Sequence, residues 1–399
     1  VSVQTGSATD YADLLNQLDT FLTSTGMALT PSFVGVGNGT ISALGGSASV
    51  AETITVTFTS ATAFGVVGSV SGSLGTGVVG TPFTSTKTNF TITAGGTAFV
   101  ATDAFTFAVA PPWTSKRRTS GSEMIWQANG NGGLDAILVG AKIFSNVTGD
   151  YYNWRLGGFQ AFDSSLLFTQ QSGYVGGMGN PQTKCSPILP LWNSTIPYWF
   201  IANGRRVIVI AKVSTVYAVA YLGLISSYMA PGSYPLPLCV GGSLAFQGGG
   251  GIFASEPAAT STNFRWSYSG TEMRAFPICN PSAMSNDADS VLRLLLPTGV
   301  WRGFDNSAAE SAFGKVWPYS GLTAAAWDWR PNLDGGYPLL PIVLHDNIPN
   351  VYGELEGIRA ITGFSQGAEN LIVVNGITYL VMQNVFRNTK SDFFAVRLT

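Results

Sequence analysis

The sequence predicts a mainly β protein in which a small Ig-like antiparallel sandwich is inserted between an N-terminal helix and a large β-rich domain. Three observations predict it. Apolar side chains recur at helical spacing at Tyr11, Leu14, Leu15, Leu18, Phe21 and Leu22. From about residue 30 to residue 110 the chain is nearly devoid of charge and alternates short Thr/Val/Phe runs with Gly and Ser. Beyond that, β-branched runs flank Asn203-Gly204 and again Asn375-Gly376, a dipeptide suited to the positive φ angles of a two-residue hairpin turn. The expected division is residues 1–29 as arm and helix, 30–112 as the inserted sandwich and 113–399 as the large domain.

Taken in order, a short polar lead precedes the helix, which Thr9 or Ser7 can cap and Gly26 ends. One face of that helix is apolar and must be buried. In the next segment, strands are expected at 53–60, 63–70, 89–93, 98–100 and 104–109, with turns at Gly45-Gly46, 72–75 and Gly95-Gly96. The run Thr-Ile-Thr-Val-Thr-Phe-Thr places Ile54, Val56 and Phe58 on one face and threonines on the other. This part reads as a spacer or decorating module.

Pro111-Pro112 removes two backbone donors and marks a boundary. Strand-like pieces follow at 123–127, 136–143 and 151–156, with an Asn/Gly turn at 129–133 and a Gly/Pro-rich loop at 174–190. Residues 198–225 read as the buried centre of a sheet. The apolar run 207–225 is long enough for a membrane-spanning helix, but Lys212, Ser214, Thr215 and its β-branched content favour strands, and no membrane association is expected. Residues 276–287 read as loop, and 288–296 fits a helix or a strand. The stretch 300–341 is rich in aromatics, and the Asn375-Gly376 hairpin should share a core with the first one.

Composition bounds the function. Charged residues are 11% of 399, against roughly 25% in ordinary soluble proteins, so little charge is available to cover a free surface. The net charge of −2 gives no electrostatic footprint for nucleic acid. The nearest basic run, Lys116-Arg117-Arg118, reads as a solvated linker or as ion-pair donors. Cys185, Cys239 and Cys279 are odd in number and widely spaced, which indicates reduced thiols and neither a zinc site nor a disulfide framework. The first residues lack the basic start and apolar stretch of a signal peptide, so the protein is expected to stay where it is made until assembly.

Candidate chemistry is sparse, and no catalytic residue, metal site or cofactor is assigned. The one histidine, His345, precedes Asp346, and on a strand the two point to opposite faces; a backbone-bonded strand-end histidine is expected. Glu354 and Glu356 share a face if 351–358 is a strand, as a glycosidase pair or as a solvated edge. The best binding lead is Trp327, Asp328 and Trp329, an acid between two rings. Such a set grips carbohydrate when exposed and forms a core cluster with an Asp328–Arg330 ion pair when buried. Residues 285–290 carry several oxygen ligands but lack the glycine and distant glutamate of a calcium loop, and Gly248–Gly251 lacks the rest of a P-loop.

Several stretches resemble structural proteins of tailed-bacteriophage particles. The opening Thr5-Gly-Ser-Ala-Thr-Asp-Tyr-Ala-Asp-Leu-Leu-Asn is similar to that of tail and baseplate-associated proteins. Gly68-Ser-Val-Ser-Gly-Ser-Leu-Gly-Thr, with Phe90-Thr-Ile-Thr-Ala-Gly-Gly-Thr-Ala-Phe-Val, resembles small β modules spliced into them. Tyr151-Tyr-Asn-Trp-Arg-Leu-Gly-Gly-Phe, Tyr198-Trp-Phe-Ile-Ala-Asn-Gly-Arg-Arg and Ile361-Thr-Gly-Phe-Ser-Gln-Gly-Ala-Glu-Asn look like segments of virion proteins of that kind. The resemblance implies a virion component of the tail or baseplate, with head decoration or neck as other stations. Its partners would be copies of itself and other virion proteins. It also implies a module inserted between the helix and the large domain, so that the helix docks back onto that domain. A host-surface glycan is the alternative partner.

Overall fold

The structure is a computed structural model that describes residues 1–23, 27–28, 31–46, 52–110, 113–130, 135–147, 151–177, 186–244, 246–247, 251–252, 274–275, 292–305, 314–318, 336–346, 350–383 and 393–398. It is mainly β, with one α-helix among these residues.

The helix, Tyr11–Thr23, is capped by Asp10 and not by Thr9 or Ser7: Asp10 Oδ1 accepts from the backbone N–H of Ala12 and Asp13, each at 2.8 Å. Asp13 reaches back to the Thr9 N–H at 2.8 Å, so three N–H donors at the helix start are satisfied by two neighbouring carboxylates. Its predicted stop at Gly26 lies outside the described residues. Leu14, Leu15, Leu18, Phe21 and Leu22 are buried as their spacing requires. The lead before the helix is a strand, Ser2–Ala8, paired antiparallel with Ile196–Ala202. Its polar composition hid it, because an edge strand buries little; only Ala8 is fully covered.

The inserted sandwich forms from two sheets. One runs Met27–Ala28, Ala104–Ala110, Glu52–Phe58, Ala63–Gly68, Gly72–Val78, with Ser32–Val34 also on Ala104–Ala110; the other runs Thr40–Gly46, Thr88–Thr93, Phe83–Thr84. Ile54, Val56 and Phe58 point into its core as expected, among Phe64, Phe90, Phe105 and Phe107. Because Ala104–Ala110 pairs with Met27–Ala28, the segment leaves beside the place where it enters, which suits an insertion. Three local expectations change. Gly45-Gly46 and 72–75 lie within strands; the first two make room for the Asn89 and Val109 side chains, and Gly72 and Gly75 take positive φ. Residues 98–100 are not a strand: Phe99 instead stacks on Phe58 at 3.9 Å between ring centroids.

Among the described residues the remainder is two large sheets packed face to face, with a two-stranded ribbon of Phe246–Gln247 on Gly251–Ile252. The second sheet is antiparallel, in the order Thr114–Thr119, Glu123–Ala128, Ile137–Asn146, Tyr151–Phe159, Ile188–Leu191, Ser243–Leu244, Arg274–Ala275. The large sheet runs Ser2–Ala8, Ile196–Ala202, Arg206–Val213, Val216–Leu224, Leu238–Gly241, Leu292–Leu295, Trp301–Asp305, Gly314–Trp317, Leu340–His345, Val351–Ala360, Phe393–Arg397, Ile377–Gln383, Leu371–Val374. Residues 207–225, the one membrane candidate, are thus mostly two central strands, and no described helix is long and apolar enough to cross a membrane.

Alternation along the central strands serves two cores. Val207, Val209 and Ala211 face the helix and second sheet, while Ile208 and Ile210 face a core shared with Leu355, Leu380, Met382 and Phe394. That second core exists because the sheet curls. One residue after Val216–Leu224, Ser226–Ser227 pairs with Glu354 and Gly353, and the far half of the sheet is brought back onto the strand from which it departed. Both predicted hairpins therefore lie in one sheet and contribute to one core.

Their turns differ. At Asn375-Gly376 both φ angles are positive, 52° and 76°, as expected of a two-residue hairpin loop. At the first hairpin Asn203 and Gly204 do not have positive φ; Gly204-Arg205 is the turn, and Asn203 Oδ1 accepts from the N–H groups of Arg205 and Arg206. The Asn203 carbonyl is left for Trp113 Nε1–H at 2.8 Å.

Candidate functional site

The described polar groups converge most closely around that first turn. Arg206 leaves it in register with Ile208 and Ile210, so its side chain enters the shared core and is only 1% exposed. Its guanidinium lies against Gly357, where an added Cβ would sit 2.2 Å from Nη2 and where φ is +78°, so this position is closed to other residues twice over. Glu356 stands 3.9 Å from Arg206 Nε and 3.8 Å from Arg205 Nη1, and it accepts from Asn203 Nδ2. Among the described residues, Arg206 Nε and Nη1 and Glu356 Oε2 have no hydrogen-bond partner. Burial pulls the Arg206 pKa down against the opposing pull of Glu356. Tyr221, also fully buried, is pushed up by burial and then by the same carboxylate.

On the outer side Arg205 lines a cleft of about 360 Å³ with Asp135, Ser226, Ser227, Tyr234 and Leu224. Burial raises the Asp135 pKa, and Arg205 only partly offsets it. The cleft is lined by one acid, one permanent cation and three hydroxyl-bearing residues, which is the chemistry of polar contact. No nucleophile is hydrogen-bonded to a base in it. Sequence reasoning passed over Arg205, Arg206 and Asp135. The available signal was two adjacent arginines entering an apolar run in a chain with only 20 Lys and Arg.

The sequence candidates do not meet there as a set. Trp327, Asp328 and Trp329 lie outside the described residues, as do Cys185, Cys279, residues 285–290 and Gly248–Gly250. His345 Nδ1 lies 3.0 Å from the Asp346 carbonyl, the backbone-bonded arrangement expected. The Asp346 carboxylate turns to Asn350 and to Tyr352 Oη–H, whose pKa burial and this bond push up to about 12.

Glu354 and Glu356 do not behave as a one-face pair. Tyr352, Leu355 and Ile358 all enter one core, a spacing of three that bulges in Val351–Ala360 impose on the alternation. Glu354 is clamped by Arg359 at 2.9 and 3.2 Å and touched by Tyr228, while Glu356 goes to the turn. A carboxylate whose two oxygens are both occupied by one arginine is poorly placed to shuttle protons.

The basic run is a strand, not a linker, and its two arginines are ion-pair donors, while Lys116 lies over the Phe162 ring. Arg117 binds Glu123 at 2.7 Å and three backbone carbonyls, and Arg118 meets buried Asp19 of the helix. Asp19 also accepts from Trp126 Nε1–H at 2.8 Å, which locks the helix onto the second sheet, as the insertion view expects. Of the aromatic stretch, Trp301 and Phe304 are core residues. Cys239 is a buried free thiol, and among the described residues no group of His, Cys, Asp and Glu could hold a metal ion.

Fold and site together define a mainly β protein with an inserted sandwich and an arginine-rich turn buried in its main sheet. No protein-family model matches the chain, and no curated protein matches it in sequence.

Proposed function

We propose that this chain is a structural component of a tailed-phage particle, in the tail or baseplate, that works by binding copies of itself and other virion proteins. The observation that carries the reading is where the little charge goes. Of 42 charged residues (20 basic and 22 acidic), many of those described are turned on one another: Arg117 and Lys142 on Glu123, Arg118 on Asp19, Lys212 on Glu369, Arg359 on Glu354 and Arg205 on Glu356. The outward surface carries, beside a few charges, uncharged apolar side chains, among them exposed Val34, Val36, Val300, Leu371 and Val373. A surface of this kind can be covered by neighbouring subunits without desolvating charge. Mass spectrometry of purified particles should find the chain in stoichiometric copies, and a particle map should place it at the tail or baseplate. Absence from particles, with a strictly monomeric purified protein, rejects the reading.

A second reading, binding of a host-surface glycan, draws on the acid between two rings at Trp327, Asp328 and Trp329. A glycan array should then show binding that Trp327→Ala and Trp329→Ala abolish, and binding that survives both removes this site.

A further inference from the structure

We propose that the far edge of the large sheet pairs with the same edge of a second copy of this chain, antiparallel and about a two-fold axis through Ile372. The inference rests on the assembly reading above and names one contact it needs. The two-residue turn makes Val374 and Ile377 the pair that exchanges N–H···O bonds across the hairpin. Alternation gives Ile372, opposite Tyr379, the same inward role. The N–H and C=O of Leu371 and Val373 then point away from the ladder, and among the described residues no strand lies beyond them. The side chains of these two residues are also the exposed ones, at 62% and 68%, while Ile372 and Val374 pack on Tyr379 and Val381. The edge thus presents two donors, two acceptors and two apolar side chains together.

The strand is complementary to itself. In antiparallel pairing, residues whose free backbone groups face outward must oppose one another. With Ile372 on the axis, Leu371 meets the partner subunit's Val373, and Val373 meets the partner subunit's Leu371. This makes four backbone hydrogen bonds and one patch of four apolar side chains, as an isologous contact requires.

The other sheet edges carry the devices by which natural sheets prevent such pairing. Thr114–Thr119 bears Lys116, Arg117 and Arg118. Gly72–Val78 is bulged against its neighbour, and Phe83–Thr84 has two residues. Ser2–Ala8 is polar and has Gln17 of the helix reaching the Ser7 carbonyl at 3.4 Å. Leu371–Val374 has no charge, no proline and no register shift.

Four hydrogen bonds and four side chains cover well under the roughly 1,200 Å² of a stable complex, so the pair should form at high protein concentration or where a particle holds copies side by side. Sedimentation equilibrium over rising concentration should show a monomer–dimer equilibrium for the native chain. Val373→Pro removes an outward donor and leaves the inward ladder intact, and Val373→Lys sets two charges on the contact. Each should weaken the dimer at least about tenfold while leaving the thermal melting curve unchanged. Mixed Leu371→Cys and Val373→Cys proteins should oxidise to a cross-linked heterodimer, which Val373→Cys alone does not form. A native chain monomeric at every concentration overturns the contact. So does association that neither variant alters, in which case the assembly reading stands and copies meet elsewhere; that reading falls only if the chain is also missing from particles.

Discussion

Asn203 and Asn375 precede the same residue in the same kind of hairpin, yet they hold their turns by different physics. Asn375 supplies a backbone at positive φ, which glycine does as well or better. Asn203 supplies a side chain: its oxygen caps two N–H groups and its nitrogen binds Glu356. Asn375→Gly should therefore be nearly neutral in urea unfolding, whereas Asn203→Gly should cost about 1 to 2 kcal/mol through unsatisfied donors. Equal losses at both sites would mean that the side chain at 203 contributes nothing beyond its backbone.

Among the elements, the inserted sandwich depends on two carboxylates more than its near lack of charge suggests. Asp103 accepts from the N–H groups of Val36, Gly37 and Val100, and Glu52 accepts from Val70 and from Ser71. Burial alone would raise both, but these bonds hold Asp103 below its ordinary 3.8 and Glu52 below its ordinary 4.5. Since the folded values are the depressed ones, the stability they contribute is full above the unfolded values and is lost as pH falls through the folded ones. Hydrogen exchange in Glu52–Phe58 and Ala104–Ala110 of the full chain should accelerate, beyond the intrinsic pH trend, below about pH 4. Asp103→Asn should flatten that dependence and lower protection at neutral pH. The helix too is held by one carboxylate, buried Asp19, which accepts from Trp126 and pairs with Arg118.

For the whole molecule, the sequence was legible where one rule acted alone. The helix, the threonine-alternating strand at residues 52–58 and the Asn375-Gly376 turn each follow from a single periodicity or backbone requirement. Ser2–Ala8 was not legible, since an edge strand needs no apolar pattern, and the placement of Glu354 and Glu356 was not, since bulges reset the alternation. The two adjacent arginines were visible, but the contact of buried Arg206 was not: Glu356 is 150 residues away in the chain, and only the curl of the sheet brings them together. That curl also sets an order of events in time. Ser2–Ala8 must wait for Ile196–Ala202, and Ser226–Ser227 must wait for Gly353, so these two pairings close spans of between one and two hundred residues, while the hairpins on either side of Arg206–Val213 are local. The inserted sandwich needs only partners between residues 27 and 110. Loop closure over such spans is slow, and local pairing is fast. In pulse-labelled refolding, amides of the sandwich should gain protection before those of Ser2–Ala8, and a chain emerging from the ribosome should carry a finished sandwich while its first strand is still without a neighbour.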